Sequence, residues 1–281
     1  MTRPENRVVL VTGGSAGIGR SAVARLARDG CRVVTCARHG ERLEEAISGL
    51  PGVTGVVADV ADAAGRATLV HRVLDEHGRL DGLVLNAGGG WAGRLEDMPG
   101  EGVEGIVALN LTGAIELSRL SLPHLLAAAG EHGRADVVAV SSVAAWSQVP
   151  PLTVYSATKA GLHGFVKGLR REVTARGVRV HTVNPFFVQT EWLARGPGHP
   201  PESDADARHR LSRGVSPDRV ADRIASCLTA ERARTVAVPR WAGVARLGEL
   251  PPIGRTLDRV LSARADGIRR LAARSVERRT R

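Results

Sequence analysis

The sequence has few aromatic residues and few lysines. Phenylalanine, tryptophan and tyrosine together make up 3% of the 281 residues, and Tyr155 is the only tyrosine. Lysine occurs only at Lys159 and Lys167, so arginine supplies nearly all of the positive charge. Any chemistry that needs a phenol or an amine side chain is therefore confined to very few positions.

Cysteine is also scarce, and a long apolar run is missing. Cys31, Cys36 and Cys227 are odd in number and lack paired spacing, which argues against a disulfide framework and favours reduced, buried thiols. No apolar run approaches the roughly 20 residues that a membrane-spanning helix needs. The start, MTRPENRVVLVTGG, does not have the pattern of a signal peptide, because its short apolar run leads directly into glycines. We expect a cytoplasmic protein whose core needs no metal.

The net charge of +10 is concentrated near the end of the chain. Residues 241–281 hold ten arginines against four acidic residues and so carry a net +6. Apolar residues recur there at helical spacing, namely Leu257, Val260, Leu261, Ile268 and Leu271. This basic extension has three open interpretations: a helix packed on the domain or on a partner subunit, a peripheral membrane contact, or a nucleic-acid contact. No nucleic-acid motif accompanies the charge, so a nucleic-acid partner is the least favoured.

Over residues 1–240, short β-branched runs alternate with longer amphipathic segments. The runs predict strands at 7–12, 31–37, 51–60, 80–88, 135–142, 178–185 and 234–240. The longer segments predict helices at 18–29, 40–49, 62–77, 102–129, 153–175 and 217–230. Such alternation is typical of βαβ units, and continuous apolar strands indicate a sheet covered on both faces. The sequence therefore predicts one Rossmann-type α/β domain with a doubly wound parallel sheet of about seven strands.

One stretch interrupts this alternation. Residues 194–216 are polar and rich in glycine and proline. Such segments are commonly mobile and lie beside binding sites. We expect this stretch to close over a substrate pocket as a lid.

A glycine-rich loop lies between the first predicted strand and the first predicted helix. TGGSAGIGR, at 12–20, places Gly13, Gly17 and Gly19 in a G-x-x-x-G-x-G pattern around Ile18. Glycines permit a tight turn and a close backbone approach, and the helix N-terminus offers N–H donors to a phosphate. In this βα context the loop predicts nucleotide binding.

The end of the second strand bears on which nucleotide is bound. In a sheet of this type that strand end faces the adenosine ribose, where NAD binders place an acidic residue and an arginine accommodates a 2′-phosphate. Arg38 lies there, and both Arg38 and Ser15 can donate to a phosphate. We favour this role of Arg38, and therefore NADP(H) as the cofactor, over the alternative that Arg38 is only a solvated surface residue. Asp59 either accepts from the adenine amino group or caps the helix that follows it.

Tyr155 and Lys159 are four residues apart on a predicted helix, so they share one face. A nearby ammonium stabilises a phenolate, and we expect it to lower the tyrosine pKa from about 10. The pair then suits proton exchange with a carbonyl or an alcohol. Ser142, at the end of the fifth strand, can hydrogen-bond the same oxygen. Taken alone, a tyrosine and a lysine at this spacing usually lie on the protein surface and have no catalytic role.

Taken together, the motifs resemble the short-chain dehydrogenase/reductase family over roughly residues 6–240. The motifs are, in order, TGGSAGIG at 12–19, Asp59-Val60, Asn86-Ala87-Gly88, Asn110, Ser142, YSATK at 155–159, and NP followed by V and T at 184–190. The resemblance implies that Tyr155 is the general acid/base and that Lys159 binds the nicotinamide ribose and lowers the tyrosine pKa. It also implies that Ser142 orients the substrate carbonyl, while Asn110 anchors a water that relays protons to the lysine.

The resemblance extends to the cofactor. It implies that Asn86, Ala87 and Gly88 line the adenine side and that Val188 and Thr190 meet the nicotinamide carboxamide. The predicted cofactor-binding set is Gly13, Ser15, Gly17, Ile18, Gly19, Arg38, Asp59, Val60, Asn86, Ala87, Gly88, Tyr155, Lys159, Pro185, Val188 and Thr190. One departure is Phe186, because the family usually has glycine after the proline, and a phenyl ring there would crowd the nicotinamide loop.

Four of the eight aromatic residues fall where the resemblance places substrate contacts, at Trp146, Phe186, Phe187 and Trp192. They predict an apolar pocket for a lipophilic or aromatic ketone, unless some of them fill the core. His163 lies one turn after Lys159, but helix packing is favoured over a role as a base.

These observations predict an NADP(H)-dependent oxidoreductase that interconverts a ketone and a secondary alcohol. Two alternatives stay open: a catalytically silent nucleotide-sensing protein with a basic tail, and an isomerase or dehydratase on the same scaffold. The resemblance also implies a homodimer or homotetramer formed through the helices near 102–129 and 153–175.

Overall fold

The computed structural model describes residues 6–92, 94–189, 214–250, 253–254, 256 and 259–260. Seven strands form one sheet: β1 Val8–Thr12, β2 Arg32–Ala37, β3 Val53–Val57, β4 Gly82–Leu85, β5 Ala135–Val140, β6 Val178–Pro185 and β7 Thr235–Val238. Their order is β3-β2-β1-β4-β5-β6-β7, and every neighbouring pair is parallel. The structure therefore confirms the predicted Rossmann-type, doubly wound sheet of seven strands.

Within the part of the chain that the structure describes, the α-helices with complete bounds are α1 Gly17–Arg28, α2 Gly40–Ile47, α3 Ala63–His77, α4 Gly100–Val107, α5 Gly113–His132, α6 Ala144–Ser147, α7 Thr153–Val173 and α8 Pro217–Leu228. Three 3₁₀ helices add Leu95–Asp97, Thr174–Arg176 and Arg240–Glu249. Within the described ranges, no helix is both long and apolar enough to cross a membrane.

The core has two halves, one on each face of the sheet. Successive strand side chains point to opposite faces, so Leu10 packs with α3, α5 and α7, while Val9 and Val11 pack with α1 and α8. All five residues of β1 are buried, as expected for a strand covered on both sides. This double covering explains why the strands read as continuous apolar runs in the sequence.

The predicted single helix over 102–129 is wrong in one detail. The chain forms α4, then a π-helical turn at Ala108–Thr112, then α5. A Cβ on Gly113 would lie 2.5 Å from the carbonyl oxygen of Val60, so the wider turn passes against the strand ends only with glycine at this position. Such single π-helical turns often occur at functional sites, and this one directs Asn110 into the interior, where it is 1% exposed.

The strands β1 and β4 are neighbours in the sheet, although β2 and β3 come between them in the sequence. From β1 the chain adds strands toward one edge of the sheet, and from β4 it adds them toward the other. In open α/β sheets, ligands bind outside the carboxyl ends of the strands at this switch point. The glycine loop after β1 and the segment after β4 therefore meet at the expected place for a site.

Two predicted segments are described only in part. Of the predicted lid at 194–216, the described residues are 214–216, and Val215 forms an isolated β-bridge with Val188. The start of the basic extension forms the 3₁₀ helix Arg240–Glu249. Most of the proposed helical row after it, including Leu257, Leu261, Ile268 and Leu271, lies outside the described residues.

Candidate active site

A large cavity of about 2170 Å³ lies at the carboxyl ends of the strands. The side chains and backbone of most predicted site residues line it. They are Gly13, Ser15, Gly17, Ile18, Gly19, Arg38, Asp59, Val60, Asn86, Ala87, Gly88, Ser142, Tyr155, Lys159, Pro185, Phe186, Phe187 and Val188. Thr190 and Trp192 lie outside the described residues.

The glycine loop forms one end of the cavity and needs glycine for steric reasons. Gly13 has a φ of +75°, a conformation that L side chains rarely adopt. A Cβ on Gly19 would lie 2.0 Å from the carbonyl oxygen of Gly13. The loop leads directly into the N-terminus of α1 at Gly17, whose free N–H groups point to the loop side. This bare backbone cradle fits the pyrophosphate of a dinucleotide.

Hydrogen bonds from the neighbouring strand hold this loop in place. The Asn86 side-chain amide donates to the carbonyl oxygen of Thr12 at 2.9 Å. The hydroxyl of Thr12 accepts from the backbone N–H groups of Asn86 at 3.0 Å and of Ala87 at 2.9 Å. Asn86 therefore positions the loop as well as lining the cavity, a role that the sequence did not indicate.

The end of the cavity next to β2, where the resemblance predicts the adenosine, carries two arginines. Arg38 is exposed directly after β2 and lines the cavity together with Ser15. Arg42, from the first turn of α2, lines the same end and was not predicted. The only feature of the sequence that could have indicated this role is that Arg42 follows Arg38 closely after the second strand. The arrangement offers donors where an adenosine phosphate would lie.

Asp59 lines the cavity as predicted for an adenine contact, and the alternative role as a helix cap is wrong. The N-cap of α3 is Asp62, whose side chain accepts from the N–H of Gly65 at 3.0 Å. Asp59 instead accepts from the N–H of Ala61 at 2.9 Å, which fixes the turn between the strand end and the cap. One carboxylate oxygen therefore holds the local backbone.

Ser142, Tyr155 and Lys159 meet at the centre of the cavity. The Ser142 side chain hydrogen-bonds the Tyr155 phenol, and its hydroxyl also accepts from the N–H of Ala144 at 3.1 Å. The Lys159 ammonium lies 5.7 Å from the centre of the Tyr155 ring and donates to the carbonyl oxygen of Val140 at 3.1 Å. The spacing of four residues on α7 thus directs both side chains to one place.

Burial determines the protonation of this pair. It raises the pKa of Tyr155 to about 12, while the hydrogen bond from Ser142 opposes that rise. It also lowers the pKa of Lys159 to about 8. The expected net lowering of the tyrosine pKa by the ammonium is therefore wrong for this structure, because desolvation of the phenolate dominates. The Tyr155 phenol therefore keeps its proton at neutral pH.

Asn110 lies behind the lysine and does not line the cavity. Its Oδ1 accepts from the N–H of Gly89 at 2.8 Å, and its Nδ2 donates to the carbonyl oxygen of Gly89 at 2.9 Å and to the Thr158 hydroxyl at 3.0 Å. A Cβ on Gly88 would lie 3.3 Å from Lys159 Nζ. Asn110 therefore fixes the backbone beside the lysine, and the water relay assigned to it stays a prediction.

Apolar side chains form the other end of the cavity, beyond Tyr155. Trp91, Met98 and Ile106 are nearly buried and form one cluster that packs against Tyr155. Phe187 lines the same cavity. The segment that carries Trp91 and Met98 was not predicted to contact substrate, because its residues match no motif and only the folded chain brings them to the tyrosine.

The Phe186 side chain points outward and does not occupy the space inside its loop that a glycine would leave empty. Its backbone N–H donates to the carbonyl oxygen of Val238 at 2.8 Å, and its side chain is 53% exposed. The ring lies 5.5 Å from that of Trp241, centre to centre. Both rings line the cavity, so Phe186 extends the outer wall and Trp241 is an aromatic lining residue that the sequence did not indicate.

Trp146 requires a correction, because the structure places it away from the cavity. It is 2% exposed and packs with Val143, Ala145 and Ala242. The centres of the Trp146 and His163 rings lie 5.6 Å apart, and the two rings are nearly perpendicular. Burial lowers the pKa of His163 to about 4, so this histidine is neutral and packs in the core, as the sequence favoured.

Comparison with known proteins places this geometry in a family. The family model described as short chain dehydrogenase matches residues 7–197. The chain is 31% identical over 223 residues to the 3-oxoacyl-(acyl-carrier-protein) reductase of Thermotoga maritima, which covers 78% of this chain and 89% of that protein. It is 34% identical over 193 residues to dehydrogenase/reductase SDR family member 4 of Bos taurus, over 67% of this chain and 68% of that protein.

A solved structure agrees. The crystal structure of a 3-ketoacyl-(acyl-carrier-protein) reductase from Brucella melitensis complexed with NADH superimposes with a TM-score of 0.76 at 25% identity, covering 84% of this chain and 97% of that chain. The fold, the motifs and these relatives agree with one another. The chain therefore belongs to the short-chain dehydrogenase/reductase family of nicotinamide-dependent oxidoreductases.

Proposed function

We propose that the protein is an NADP(H)-dependent reductase that converts a ketone into a secondary alcohol, with Tyr155 as the proton donor. The observation that carries this proposal is the meeting of Ser142, Tyr155 and Lys159 in one cavity with the glycine loop. A dinucleotide on that loop would reach the tyrosine along the same cavity. Bound NADPH would supply the hydride that reaches the carbonyl carbon.

The side chains divide the remaining work. Ser142 donates a hydrogen bond to the substrate carbonyl oxygen and holds it at the phenol. Tyr155 transfers its proton to that oxygen as negative charge develops there. Lys159, charged below pH values of about 8, stabilises the phenolate that remains. The sum of the reaction is ketone, NADPH and a proton to alcohol and NADP⁺.

The preference for NADP(H) rests on the adenosine end of the cavity. Arg38 follows β2 where an NAD-dependent protein would place an acidic side chain, and the sequence there reads Ala37-Arg38-His39. Ser15 and Arg42 line the same end. Guanidinium groups bind phosphate oxygens through charge-assisted hydrogen bonds, so a 2′-phosphate finds donors that an unmodified ribose does not use.

The proposed substrate is lipophilic. The cavity beyond Tyr155 presents Trp91, Met98 and Ile106, and its outer wall presents Phe186 and Trp241. A site of this kind gains affinity by removing apolar substrate surface from water, with Ser142 and Tyr155 supplying the polar contacts that orient the carbonyl.

The direct test is oxidation of NADPH by the purified full-length chain across a panel of aliphatic, cyclic and aromatic ketones and quinones. We expect oxidation to depend on the ketone and to yield the alcohol in equal amount. A chain that binds NADPH but reduces no member of the panel would instead be the nucleotide-sensing protein. Product formation without net cofactor consumption would indicate an isomerase or dehydratase.

A further inference from the structure

The 3₁₀ helix Arg240–Glu249 carries a row of large apolar side chains that face outward. A 3₁₀ helix has three residues per turn, so side chains at every third position align along one face. Trp241, Val244 and Leu247 have this spacing, and Leu250 directly after the helix continues it. Their exposed fractions are 65%, 64%, 47% and 49%. We call these four residues the apolar ridge.

The other two faces of this helix show that the ridge is held outward by packing. Ala242 is buried against Val143 and Trp146, and Ala245 packs on the same cluster. The guanidinium of Arg246 stacks over the Trp146 ring at 4.4 Å. Small side chains therefore anchor the helix to the domain, and the large apolar side chains remain on the solvent side.

The ridge is continuous with the mouth of the cavity. Trp241 and Val244 line the cavity, and the Phe186 ring lies against Trp241. Leu247 and Leu250 do not line the cavity and are exposed. A surface that accepted the ridge would therefore also cover the entrance to the proposed active site.

The charge around the ridge is positive. Arg240 and Arg246 are exposed on the same helix, whose one acidic residue is Glu249, and residues 241–281 as a whole carry a net +6. An exposed apolar row flanked by arginines is the combination that binds the interface of an anionic bilayer, where tryptophan is also favoured. Two copies of the chain that met ridge to ridge would bring two such positive segments together, which charge repulsion opposes.

We propose that the apolar ridge is a membrane-docking surface that places the cavity mouth on an anionic bilayer, from which the site takes a lipophilic carbonyl compound dissolved in the membrane. Docking by itself is independent of the proposed reductase function. Delivery of a membrane-dissolved substrate rests on that function.

Docking is tested by co-sedimentation of the full-length chain with vesicles of phosphatidylcholine alone or mixed equally with phosphatidylglycerol. The test variant is Leu247→Ser/Leu250→Ser, which leaves the cavity lining unchanged. The matched control is Val57→Ser, because Val57 is 62% exposed on β3, at the edge of the sheet opposite β7. We expect binding to the anionic vesicles that weakens with salt, about tenfold weaker binding for the double variant, and no loss for the control.

Docking is overturned if the double variant and the unaltered chain bind the vesicles equally, or if neither binds phosphatidylglycerol vesicles. If equal binding is accompanied by a lower oligomeric mass of the double variant by light scattering, the ridge belongs instead to a contact with a second copy of the chain.

Delivery is tested by NADPH oxidation with two ketones, a long-chain 2-alkanone dissolved in the anionic vesicles and a short water-soluble ketone. We expect the double variant to lose most of its rate on the vesicle ketone and to keep its rate on the soluble one. Equal rates of both proteins on the vesicle ketone contradict delivery. If the unaltered chain reduces neither ketone yet binds the vesicles, the reductase function fails while docking stands.

Discussion

Burial favours the neutral forms of both Tyr155 and Lys159, because the interior solvates neither a phenolate nor an ammonium well. The pKa of the tyrosine rises to about 12, and that of the lysine falls to about 8. The tyrosine therefore keeps its proton over the whole neutral range. The lysine, in contrast, loses its charge within a range of pH that is accessible to kinetic measurement.

This difference predicts the pH dependence of ketone reduction. The protonated phenol is present throughout, while the ammonium that stabilises the resulting phenolate is lost as the pH rises through about 8. We expect kcat/KM for reduction to be constant near neutral pH and to fall above about pH 8. The measurement is NADPH oxidation under substrate-limiting conditions across a pH series. A rate that increases through this range would contradict the assigned roles.

Arg38 sets the cofactor preference at the residue scale. Arg38→Asp removes a donor to the 2′-phosphate and adds a repulsive charge, so we expect the KM for NADPH to rise by about 10- to 100-fold, in line with a lost charged hydrogen bond. The KM for NADH should change far less. Arg32→Asp is the matched control, because Arg32 is exposed at the opposite end of β2. Equal loss of both cofactors would remove Arg38 from phosphate binding.

At the scale of elements, the glycine loop and the π-helical turn show what sequence patterns can and cannot predict. The glycine spacing predicted the loop because its steric requirement is local: a side chain at Gly19 meets Gly13 six residues away. The π-helical turn was not predicted, because α4 and α5 read as one continuous amphipathic helix. What requires the turn is the approach of Gly113 to Val60, a contact that only the folded sheet creates.

The loop geometry predicts a large effect of one methyl group. Gly19→Ala places a Cβ 2.0 Å from the Gly13 carbonyl oxygen, so the loop must deform where it would hold the pyrophosphate. We expect NADPH affinity, measured by fluorescence titration, to fall at least about tenfold, which corresponds to about 1.4 kcal/mol. Gly168→Ala in α7 meets nothing within 4 Å and should leave binding unchanged while stabilising the helix by up to about 1 kcal/mol. Similar NADPH affinities of the two variants would contradict the role of the glycine loop in binding the pyrophosphate.

At the scale of the whole molecule, a buried ionic network lies at the amino-terminal ends of the strands, opposite the site. Asp136 accepts from Arg7 and Arg134 at 2.7 Å each, and its other oxygen lies 3.1 Å from His181. These hydrogen bonds hold the pKa of Asp136 below its usual range despite burial, while burial lowers the pKa of His181. The network joins β5, β6 and the start of β1, and so ties the sheet together at the end away from the cavity.

The network makes stability depend on pH. Both pKa values are lower in the folded chain, so the unfolded chain binds more protons and acid favours unfolding. We expect the free energy of unfolding to decrease as the pH falls below about 6.5, where His181 protonates in the unfolded chain, and to decrease further where Asp136 does. Urea unfolding at a series of pH values measures this, and constant stability between pH 7 and pH 4 would contradict it.

A single substitution tests the same network. Asp136→Asn removes the charge partner of two partly buried arginines, Arg7 and Arg134, and we expect a loss of about 3 kcal/mol in the free energy of unfolding. The control is Asp29→Asn, since Asp29 pairs with Arg25 near the surface and such pairs contribute at most about 1 kcal/mol. Equal losses in the free energy of unfolding for the two variants would show that burial does not strengthen the ion pairs of Asp136.

The aromatic residues mark the limit of sequence analysis at this scale. Trp146 was predicted to contact substrate from its position near Ser142, yet it packs against His163 in the core. Trp91 and Trp241 line the cavity without belonging to any motif. Motifs predict the polar residues of such a site because the chemistry fixes their type and spacing. The apolar wall depends on packing between segments distant in sequence, and any large side chain can supply it.

The central claim is that Tyr155 donates the proton during NADPH-dependent ketone reduction, and Tyr155→Phe tests it most directly. The phenyl ring keeps the packing against Trp91 and Ile106 and removes only the hydroxyl. We predict a fall in kcat of about 10²- to 10⁴-fold with NADPH affinity and thermal unfolding unchanged. A variant that keeps the rate of the unaltered chain on the same ketone would contradict the account.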